Sequence, residues 1–198
     1  GKDDVRLDGR VLVPQQSVTL AMYKPKGVVS TLKDPQGRRC IGDLIPKRLA
    51  GLFPVGRLDY DATGLILLTN DGEIAQALHH PSYRVPKTYI VEVRPAPDDE
   101  ALDTMASGVV LDGRKTLPAA VERIHSTRTG AKLKITLVQG LKNQIKRMGA
   151  CVGIRVVSIR RISVGDVTLK GMAPGEIRPL TQREARFIHN LLKKRNKP

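Results

Sequence analysis

The sequence predicts an α+β fold with a mostly antiparallel, mixed sheet that is flanked by helices. Segments of strand character outnumber segments of helical character. Hairpin signals join neighbouring strands, as Thr129 and Gly130 do between residues 119–125 and 132–138. Strands joined in this way pair antiparallel, and helices placed between groups of strands define the α+β class. With 198 residues, the chain can bury a substantial core.

The strand segments are rich in Val, Ile, Leu, Tyr and Thr, and turn-forming residues bound most of them. They comprise a short hairpin over residues 5–13 and strands over residues 17–23, 65–68, 88–93, 119–125, 132–138 and 155–164. Two basic loops are predicted after the second of these segments, at residues 24–27 and 31–39, because both contain Pro and Gly.

The helical segments are marked by acidic residues at their start, by Gly or Pro after their end, or by apolar residues three and four positions apart. They cover residues 41–49, 71–79, 97–106, 144–152 and 181–194. The last segment gives the clearest signal, because Thr181 and Glu184 have the spacing of a capping box. Its apolar stripe consists of Ala185, Ile188, Leu191 and Leu192.

Residues 54–72 are the stretch around which the chain is organised. A turn leads into Arg57, Asp59 and Asp61, and an unbroken aliphatic run follows at residues 65–68. Such a run predicts a strand that is buried on both faces, which would hold the charged loop rigidly. A solvated turn that merely enters a strand is the alternative that these residues leave open.

The charge balance favours a nucleic-acid partner. Lys and Arg number 34 against 19 Asp and Glu, a formal net charge of +15. An anionic membrane is a weaker candidate, because no apolar run approaches spanning length. The chain has no Trp, two Phe and four Tyr, so contacts to phosphates and to nucleic-acid shape are expected to outweigh serial base stacking.

The cysteines and histidines predict neither a disulfide nor a metal site. Cys40 and Cys151 lie far apart and have no metal-ligand spacing, which is typical of free thiols in a reducing cytoplasm. His79 and His80 suit the end of a predicted helix, and no third ligand lies at a useful spacing. We therefore expect no metal and a cytoplasmic location.

Two cations stand at the start of the helix predicted over residues 144–152. Lys146 and Arg147 fall in its first turn, where the helix macrodipole disfavours positive charge. Their position suggests a carboxylate or a phosphate close by. Two solvated cations on long side chains remain the alternative.

Four motifs occur in order: KPKG at residues 24–27, GRLDYDATGLILLTNDG at 56–72, KTY at 87–89 and KITLVQGLKNQIKRM at 134–148. Together they resemble the RsuA-like family of ribosomal RNA pseudouridine synthases. The resemblance runs from about residue 20 to residue 187. GRLD within the longer pattern is highly specific, whereas KPxG or KxY alone would be weak.

The resemblance implies a pseudouridine synthase-like catalytic fold and a role for each matching residue. It makes Asp59 the catalytic carboxylate and Tyr89 the tyrosine that packs on the target base. Lys146 falls where the family has the basic residue that pairs with this carboxylate and would keep it ionised. Arg57 would lie by the RNA backbone or in the space left by the flipped nucleotide, and Leu137 near the apolar pocket wall.

The implied reaction isomerises a uridine of ribosomal RNA to pseudouridine without a cofactor. The partner would be ribosomal RNA, free or in an assembling subunit, bound by a monomer. Asn143 departs from the family, many members of which have Arg or His there. The candidate RNA-binding residues are Lys24, Lys26, Arg38, Arg39, Lys142, Asn143, Gln144, Arg147, Arg160 and Arg161.

The resemblance also implies a division of the chain. Residues 1–16 resemble only the end of an N-terminal RNA-binding domain and its linker, and residues 17–198 correspond to the catalytic domain. That domain is expected to have a cleft between two subdomains. The sequence does not begin with Met, and we expect an N-terminal module in the natural protein.

Two functions of other classes are weighed against the isomerase. A non-catalytic RNA-binding protein would explain the charge, but not the mounting of Asp59 or the order of the motifs. A Mg²⁺-dependent nuclease could use Asp59, Asp61 and Asp71, because hard cations prefer carboxylate ligands.

Overall fold

The computed structural model describes residues 6–7, 10–11 and 16–195. The strands are β1 (Arg6–Leu7), β2 (Arg10–Val11), β3 (Thr19–Lys24), β4 (Phe53–Val55), β5 (Thr63–Thr69), β6 (Lys87–Arg94), β7 (Val110–Leu111), β8 (Arg114–Lys115), β9 (Ala120–Thr127), β10 (Gly130–Leu137), β11 (Arg155–Val164), β12 (Val167–Thr168) and β13 (Ile177–Pro179). The helices are α1 (Gly72–His79), α2 (Asp99–Ser107), α3 (Gln144–Cys151) and α4 (Gln182–Arg195).

The strands form one large sheet and two small ribbons. The nine-stranded sheet has the order β13-β3-β5-β11-β6-β10-β9, with β4 beside β5 and β12 beside β11. Only the pairing of β5 with β11 is parallel among these described strands, and every other pair is antiparallel. The predicted α+β class with a mostly antiparallel, mixed sheet is therefore confirmed.

Strand β5 is buried on both faces, as the aliphatic run predicts. Leu65 and Leu67 pack in a cluster with residues of α1 and α4. Ile66 and Leu68 face the opposite side and pack against Ile41 and neighbouring apolar residues. Successive strand residues point to opposite faces, so an unbroken aliphatic run fits a strand covered on both sides.

The sheet divides where β5 changes partners along one edge. Residues 67–69 of β5 pair with β4, whereas Thr63 and Gly64 pair with Arg160 and Arg161 of β11. Gly64 has a φ of +112°, and a Cβ on it would lie 2.2 Å from the Arg161 carbonyl oxygen. Only glycine permits this approach. Because β4 and β11 then diverge, a cleft opens between the two parts of the sheet.

The remaining elements differ from the sequence expectations in short segments. Residues 41–49, predicted as one helix, form two 3₁₀ helices, Ile41–Leu44 and Lys47–Leu49. Pro46 lies between them. The pairing of β1 with β2 agrees with the predicted N-terminal hairpin, and its turn lies outside the described residues. Strands β4, β7, β8, β12 and β13 have only two or three residues each, too few to produce a periodic pattern.

None of the four helices in the described part of the chain has the length and hydropathy that a membrane span requires.

The predicted capping box of α4 is confirmed and extends into an ion pair. Glu184 accepts from the Thr181 backbone N–H at 2.8 Å, and its own N–H donates to Thr181 Oγ1 at 3.3 Å. Both Glu184 carboxylate oxygens also accept from Arg178. Burial acts to raise the pKa of Glu184, but the bonds from Arg178, Thr168 and Thr181 outweigh it and lower this pKa to about 2.

Replacement of this buried carboxylate should destabilise the fold in a pH-dependent way. Because the folded pKa lies below the unfolded one, the ionised group stabilises the fold above pH 4.5, and this contribution is lost as the pH falls towards 2. We expect Glu184→Gln to lower the free energy of unfolding at pH 7 by about 3 kcal/mol. Denaturant unfolding should show this difference shrinking between pH 4.5 and pH 2.

The control is Glu122→Gln, which removes an exposed carboxylate paired with Lys134 at 3.3 Å. It should cost less than about 1 kcal/mol. Equal effects of the two substitutions at pH 7 would contradict the role given to Glu184.

Candidate active site

Residues 56–62 form the loop that leads from β4 into β5. Leu58 and Ala62 are buried and fix the loop against the core. The Ser30 hydroxyl donates to Leu58 O at 2.8 Å and accepts from Leu58 N at 3.1 Å. The Asp59 side chain lies between these anchors and is 41% exposed. The loop thus presents a solvent-accessible carboxylate on a fixed backbone.

A second anchor of the same loop is Lys24, whose side chain is fully buried. Its Nζ donates to Ala62 O at 2.8 Å and to Pro25 O at 2.9 Å. Burial lowers the pKa of Lys24 to about 8, although Asp61 and Asp59 oppose this change. The prediction of an RNA contact at Lys24 is corrected, because the buried ammonium offers no surface to RNA and supports the loop instead.

Asn143 contacts Asp59 from the beginning of α3. With its amide nitrogen facing the carboxylate, Asn143 donates to Asp59 Oδ2 at 2.8 Å and approaches Oδ1 at 3.3 Å. Asn143 precedes α3 in a left-handed conformation, with φ 52°, and its side chain makes no bond to the helix N-terminus. Asn tolerates this conformation better than most residues. A neutral donor therefore fixes the orientation of the Asp59 carboxylate.

Lys146 lies between two carboxylates and bonds more closely to Asp61 than to Asp59. Its Nζ is 2.8 Å from both Asp61 oxygens and 3.9 Å from Asp59 Oδ2. The hydrogen bond from Lys146 lowers the pKa of Asp61. The expected ion pair with Asp59 is thus present at the longer distance, and Lys146 is shared with Asp61 because the two carboxylates stand two residues apart on one loop.

The position that a metal ion would need between Asp59 and Asp61 is taken by this ammonium. Among the described residues, no group of three or more His, Cys, Asp and Glu side chains could hold a metal ion. The carboxylates of this loop thus use a protein cation as their counter-ion.

A cavity of about 440 Å³ opens at the divergence of β4 and β11. Asp59 and Arg57 line it from the loop, Tyr89 from β6 and Leu137 from β10. Tyr89 and Leu137 are 8% and 3% exposed and form part of an apolar wall. Lys146 is not among the residues that line the cavity. The structure thus brings together four of the five residues given catalytic or supporting roles, and Lys146 reaches Asp59 from another side.

Two further cations line the cavity without an ion-pair partner among the described carboxylates. Arg161 is 4% exposed, and its Nε donates to Leu65 O at 2.7 Å. Lys87 donates to Val85 O at 3.2 Å. Burial, together with the nearby charge of Arg161, lowers the pKa of Lys87 to about 8. A buried guanidinium and a half-buried ammonium held in this way favour a ligand with negative or carbonyl oxygens.

The candidate RNA-binding residues fall into different environments. Arg161 lies in the cavity and not on the outer surface. Gln144 is also buried, at 4% exposure, and its Oε1 accepts a hydrogen bond from Leu141 N. Arg160 is exposed, but it must project from the sheet face opposite to its neighbour Arg161. Arg147 pairs with Asp112. The exposed candidates on loops are Lys26, Arg38, Arg39, Lys142 and Asn143.

Comparison with known proteins identifies the family. The family described as RNA pseudouridylate synthase matches residues 18–150. The chain belongs to this family. The four sequence motifs lie within the matched residues, and the predicted family and enzyme class are confirmed.

Relatives of known sequence support this assignment over most of their length. The chain is 33% identical over 193 residues to ribosomal large subunit pseudouridine synthase B of Bacillus subtilis (strain 168). The aligned region covers 96% of this chain and 79% of the relative. The chain is 40% identical over 192 residues to an uncharacterized RNA pseudouridine synthase of Mycobacterium leprae (strain TN), covering 93% and 74%.

Solved structures agree in fold. A crystal structure of a pseudouridylate synthase superposes with a TM-score of 0.79 at 32% identity, covering 90% of this chain and 75% of that chain. A chain of the archaeal box H/ACA Nop10–Cbf5 complex shares the fold at a TM-score of 0.58 and 15% identity, with coverage of 88% and 52%.

Sequence reasoning does not single out Lys87, and it names Arg161 as an RNA-binding candidate without indicating that its side chain lies in the cavity. A signal for Lys87 exists in the KTY motif, since residues two apart in a strand share a face, which puts Lys87 beside Tyr89. The position of Arg161 depends on the parallel contact with β5, where its side chain bonds to Leu65, 96 positions away in the chain.

Removal of the Lys87 charge should stabilise the fold while it damages the site. The charged form is disfavoured by burial, so the penalty is complete below pH 8 and disappears as the pH rises towards 10.5. We expect Lys87→Met to raise the free energy of unfolding at pH 7 by about 1–3 kcal/mol. Urea unfolding should show a smaller gain at pH 9.5.

Lys134→Met is the matched control, because Lys134 is 46% exposed on the neighbouring strand. It should change stability by less than about 0.5 kcal/mol. A loss of stability in Lys87→Met at pH 7 would show that the ammonium is well paired in the fold.

Proposed function

We propose that this enzyme converts a uridine of ribosomal RNA to pseudouridine, with Asp59 as the catalytic carboxylate. The observation that carries the proposal is the position of Asp59, anchored at a cavity that also contains Tyr89 and Leu137. The activity named for the Bacillus subtilis relative supports ribosomal RNA as the substrate. A bacterial-type enzyme with that substrate would act in the cytoplasm.

The reaction breaks the C1′–N1 bond, rotates the uracil and forms the C1′–C5 bond. The proton on C5 is lost and N1 gains one, so no atom is lost overall and the reaction requires no oxidant. An ionised carboxylate at the sugar can attack C1′ or assist elimination towards a glycal. Asp59 suits both routes, because the amide of Asn143 bonds chiefly to Oδ2. Oδ1 has only the longer contact and remains more open to the substrate.

The cavity fits a flipped nucleotide. A base must leave the stack before an enzyme can reach its glycosidic bond. The volume of about 440 Å³ lies within the range of small-molecule sites. In our proposal the Tyr89 ring packs on the uracil and its hydroxyl takes part in proton transfer. Lys87 and Arg161 stabilise the uracil carbonyl oxygens or a phosphate, because no described carboxylate neutralises them.

The RNA backbone approaches over the exposed cations around the cavity mouth. Lys142 lines the cavity, and Lys26, Arg38 and Arg39 are exposed on neighbouring loops of the same enzyme. The net charge of +15 supports attraction to RNA over a longer range. Arg160 projects from the other sheet face and is assigned no contact in this arrangement.

Asp59→Asn should abolish isomerisation and leave the affinity for RNA within about twofold, because the substitution keeps the volume and removes only the charge. Transcripts of small- and large-subunit ribosomal RNA would be incubated with the purified variants, and pseudouridine would be mapped. The same assay with EDTA separates the isomerase from a metal-dependent nuclease.

Asp103→Asn is the control, since Asp103 is an exposed residue of α2 and undergoes the same chemical change. It should retain wild-type turnover. Measurable turnover by Asp59→Asn would exclude Asp59 as the essential group, and a wild-type chain that modifies neither RNA would overturn the proposed function.

Lys142→Gln should weaken RNA binding and reduce its salt dependence. Each phosphate contact contributes about −0.7 to the slope of log K against log salt on single strands. We expect the slope to become shallower by about that amount in filter-binding measurements from 50 to 300 mM KCl. Arg160→Gln loses the same charge on the opposite sheet face and should leave the slope unchanged. Equal changes in both variants would refute the assigned RNA path.

A further inference from the structure

Tyr60 is the one exposed side chain among the phenylalanines and tyrosines of the protein. Both Phe and all four Tyr lie within the described residues. Tyr60 is the only one of the six that is exposed, at 53%. The other three tyrosines are partly or fully buried, including Tyr89 in the cavity. A ring left in water on an otherwise anchored loop has no evident role in the stability of the fold.

The backbone of Tyr60 is held in place although its ring is exposed. It follows Asp59 directly, and its carbonyl oxygen accepts from Gly27 N at 2.9 Å. Gly27 adopts a φ of +75°, and a Cβ built on it would lie 3.7 Å from the Tyr60 hydroxyl. The ring therefore lies beside the 24–27 loop, one residue from Asp59. It does not line the cavity that contains Tyr89.

Two cations lie near this ring. The carboxylate of Asp34 raises the pKa of Arg38 above its usual value, and the Tyr60 hydroxyl is close enough to add to this effect. Lys26 is close enough to Asp61, next to Tyr60 in the chain, to help lower the pKa of that carboxyl. Lys26 and Arg38 are both exposed. An aromatic face flanked by cations matches an RNA base and the phosphates on either side of it.

We infer that Tyr60 is a stacking platform for an unpaired nucleobase adjacent to the target uridine. The inference rests on the proposed function. When the target uridine enters the cavity, a neighbouring base loses its stacking partner, and a ring one residue from Asp59 can replace that partner. Lys26 and Arg38 then bind the adjoining phosphates. Tyr60 is a substrate-positioning residue, because its contact is to the neighbouring nucleotide and not to the reacting atoms.

Stacking accepts every base, because every base has a π-face. Tyr60 would therefore require an unpaired nucleotide beside the target without requiring one particular base. A purine should bind more tightly than a pyrimidine because of its larger ring system. The subsite thus selects targets by the local structure of the RNA, such as a loop or a bulge.

The test uses a ribosomal RNA fragment in which the wild-type chain converts the target uridine. The fragment is made intact and in two further versions, with one abasic nucleotide either on the 5′ or on the 3′ side of the target. On intact RNA, Tyr60→Ala should lower kcat/KM roughly 5- to 150-fold, the value of one stacked base, chiefly through KM. Tyr60→Phe keeps the ring and should rescue most of this loss. On the RNA that lacks the stacked base, wild type and Tyr60→Ala should have equal kcat/KM.

A direct reading of the stack is available because the chain has no Trp. Tyr60→Trp introduces a single tryptophan, which can be excited selectively at about 295 nm or above. Its emission should be quenched by the intact fragment and not by the fragment that is abasic at the stacking position. Ile124→Trp, on the edge strand β9, should respond to neither RNA.

The outcomes distinguish a failure of the stacking role of Tyr60 from a failure of the proposed isomerase function. If Tyr60→Ala is as active as wild type, or loses the same factor on intact and abasic RNA, the stacking role is wrong while the isomerase stands. If the wild-type chain converts no ribosomal RNA, the proposed function is overturned and this inference with it.

Discussion

Gly64 lies against the backbone of Arg161 at a distance that admits no side chain, and this contact joins the two parts of the sheet. It brings the end of the 56–62 loop beside β11. Because β4 occupies the rest of the same edge of β5, β11 must diverge from it, and the cavity lies in the space that results. A side chain at residue 64 would separate the loop with Asp59 from the wall that carries Tyr89.

Two lysines near this contact, Lys24 and Lys87, lower the stability of the fold, because burial disfavours their charged forms. Lys24 and Lys87 both have a pKa lowered to about 8 by burial. Arg161 repels both ammonium groups. Lys24 is compensated by two carbonyl oxygens and by the nearby Asp61 and Asp59, whereas Lys87 has one carbonyl oxygen. A substrate oxygen at Lys87 would supply the missing compensation, so binding energy and fold stability are coupled at this residue.

The sequence predicts the long elements of this fold and fails at contacts between distant segments. The run at Leu65–Leu68 identifies a doubly buried strand, and Thr181 with Glu184 identifies the start of α4, because both signals are local. Arg178 completes the Glu184 network from β13, a strand of three residues that has no detectable period. Similarly, motif order indicates Asp59, Tyr89 and Lys146 as candidates. The closer bond of Lys146 to Asp61 depends on where α3 docks, which no local pattern records.

Lys146 interacts differently with Asp59 and with Asp61, and the difference leaves Asp59 available to the substrate. If Lys146 bonded to both oxygens of Asp59, its charge would hold them in a fixed pair and oppose their approach to the sugar. Asp61 instead takes both short bonds, and the ammonium acts on Asp59 from 3.9 Å. At that distance, with the Asp59 side chain 41% exposed, the interaction is largely electrostatic and screened. The amide of Asn143 adds a short bond without charge. In the proposed mechanism, Asp59 Oδ2 is therefore held by the amide, while Oδ1 keeps only the longer amide contact and can reach C1′.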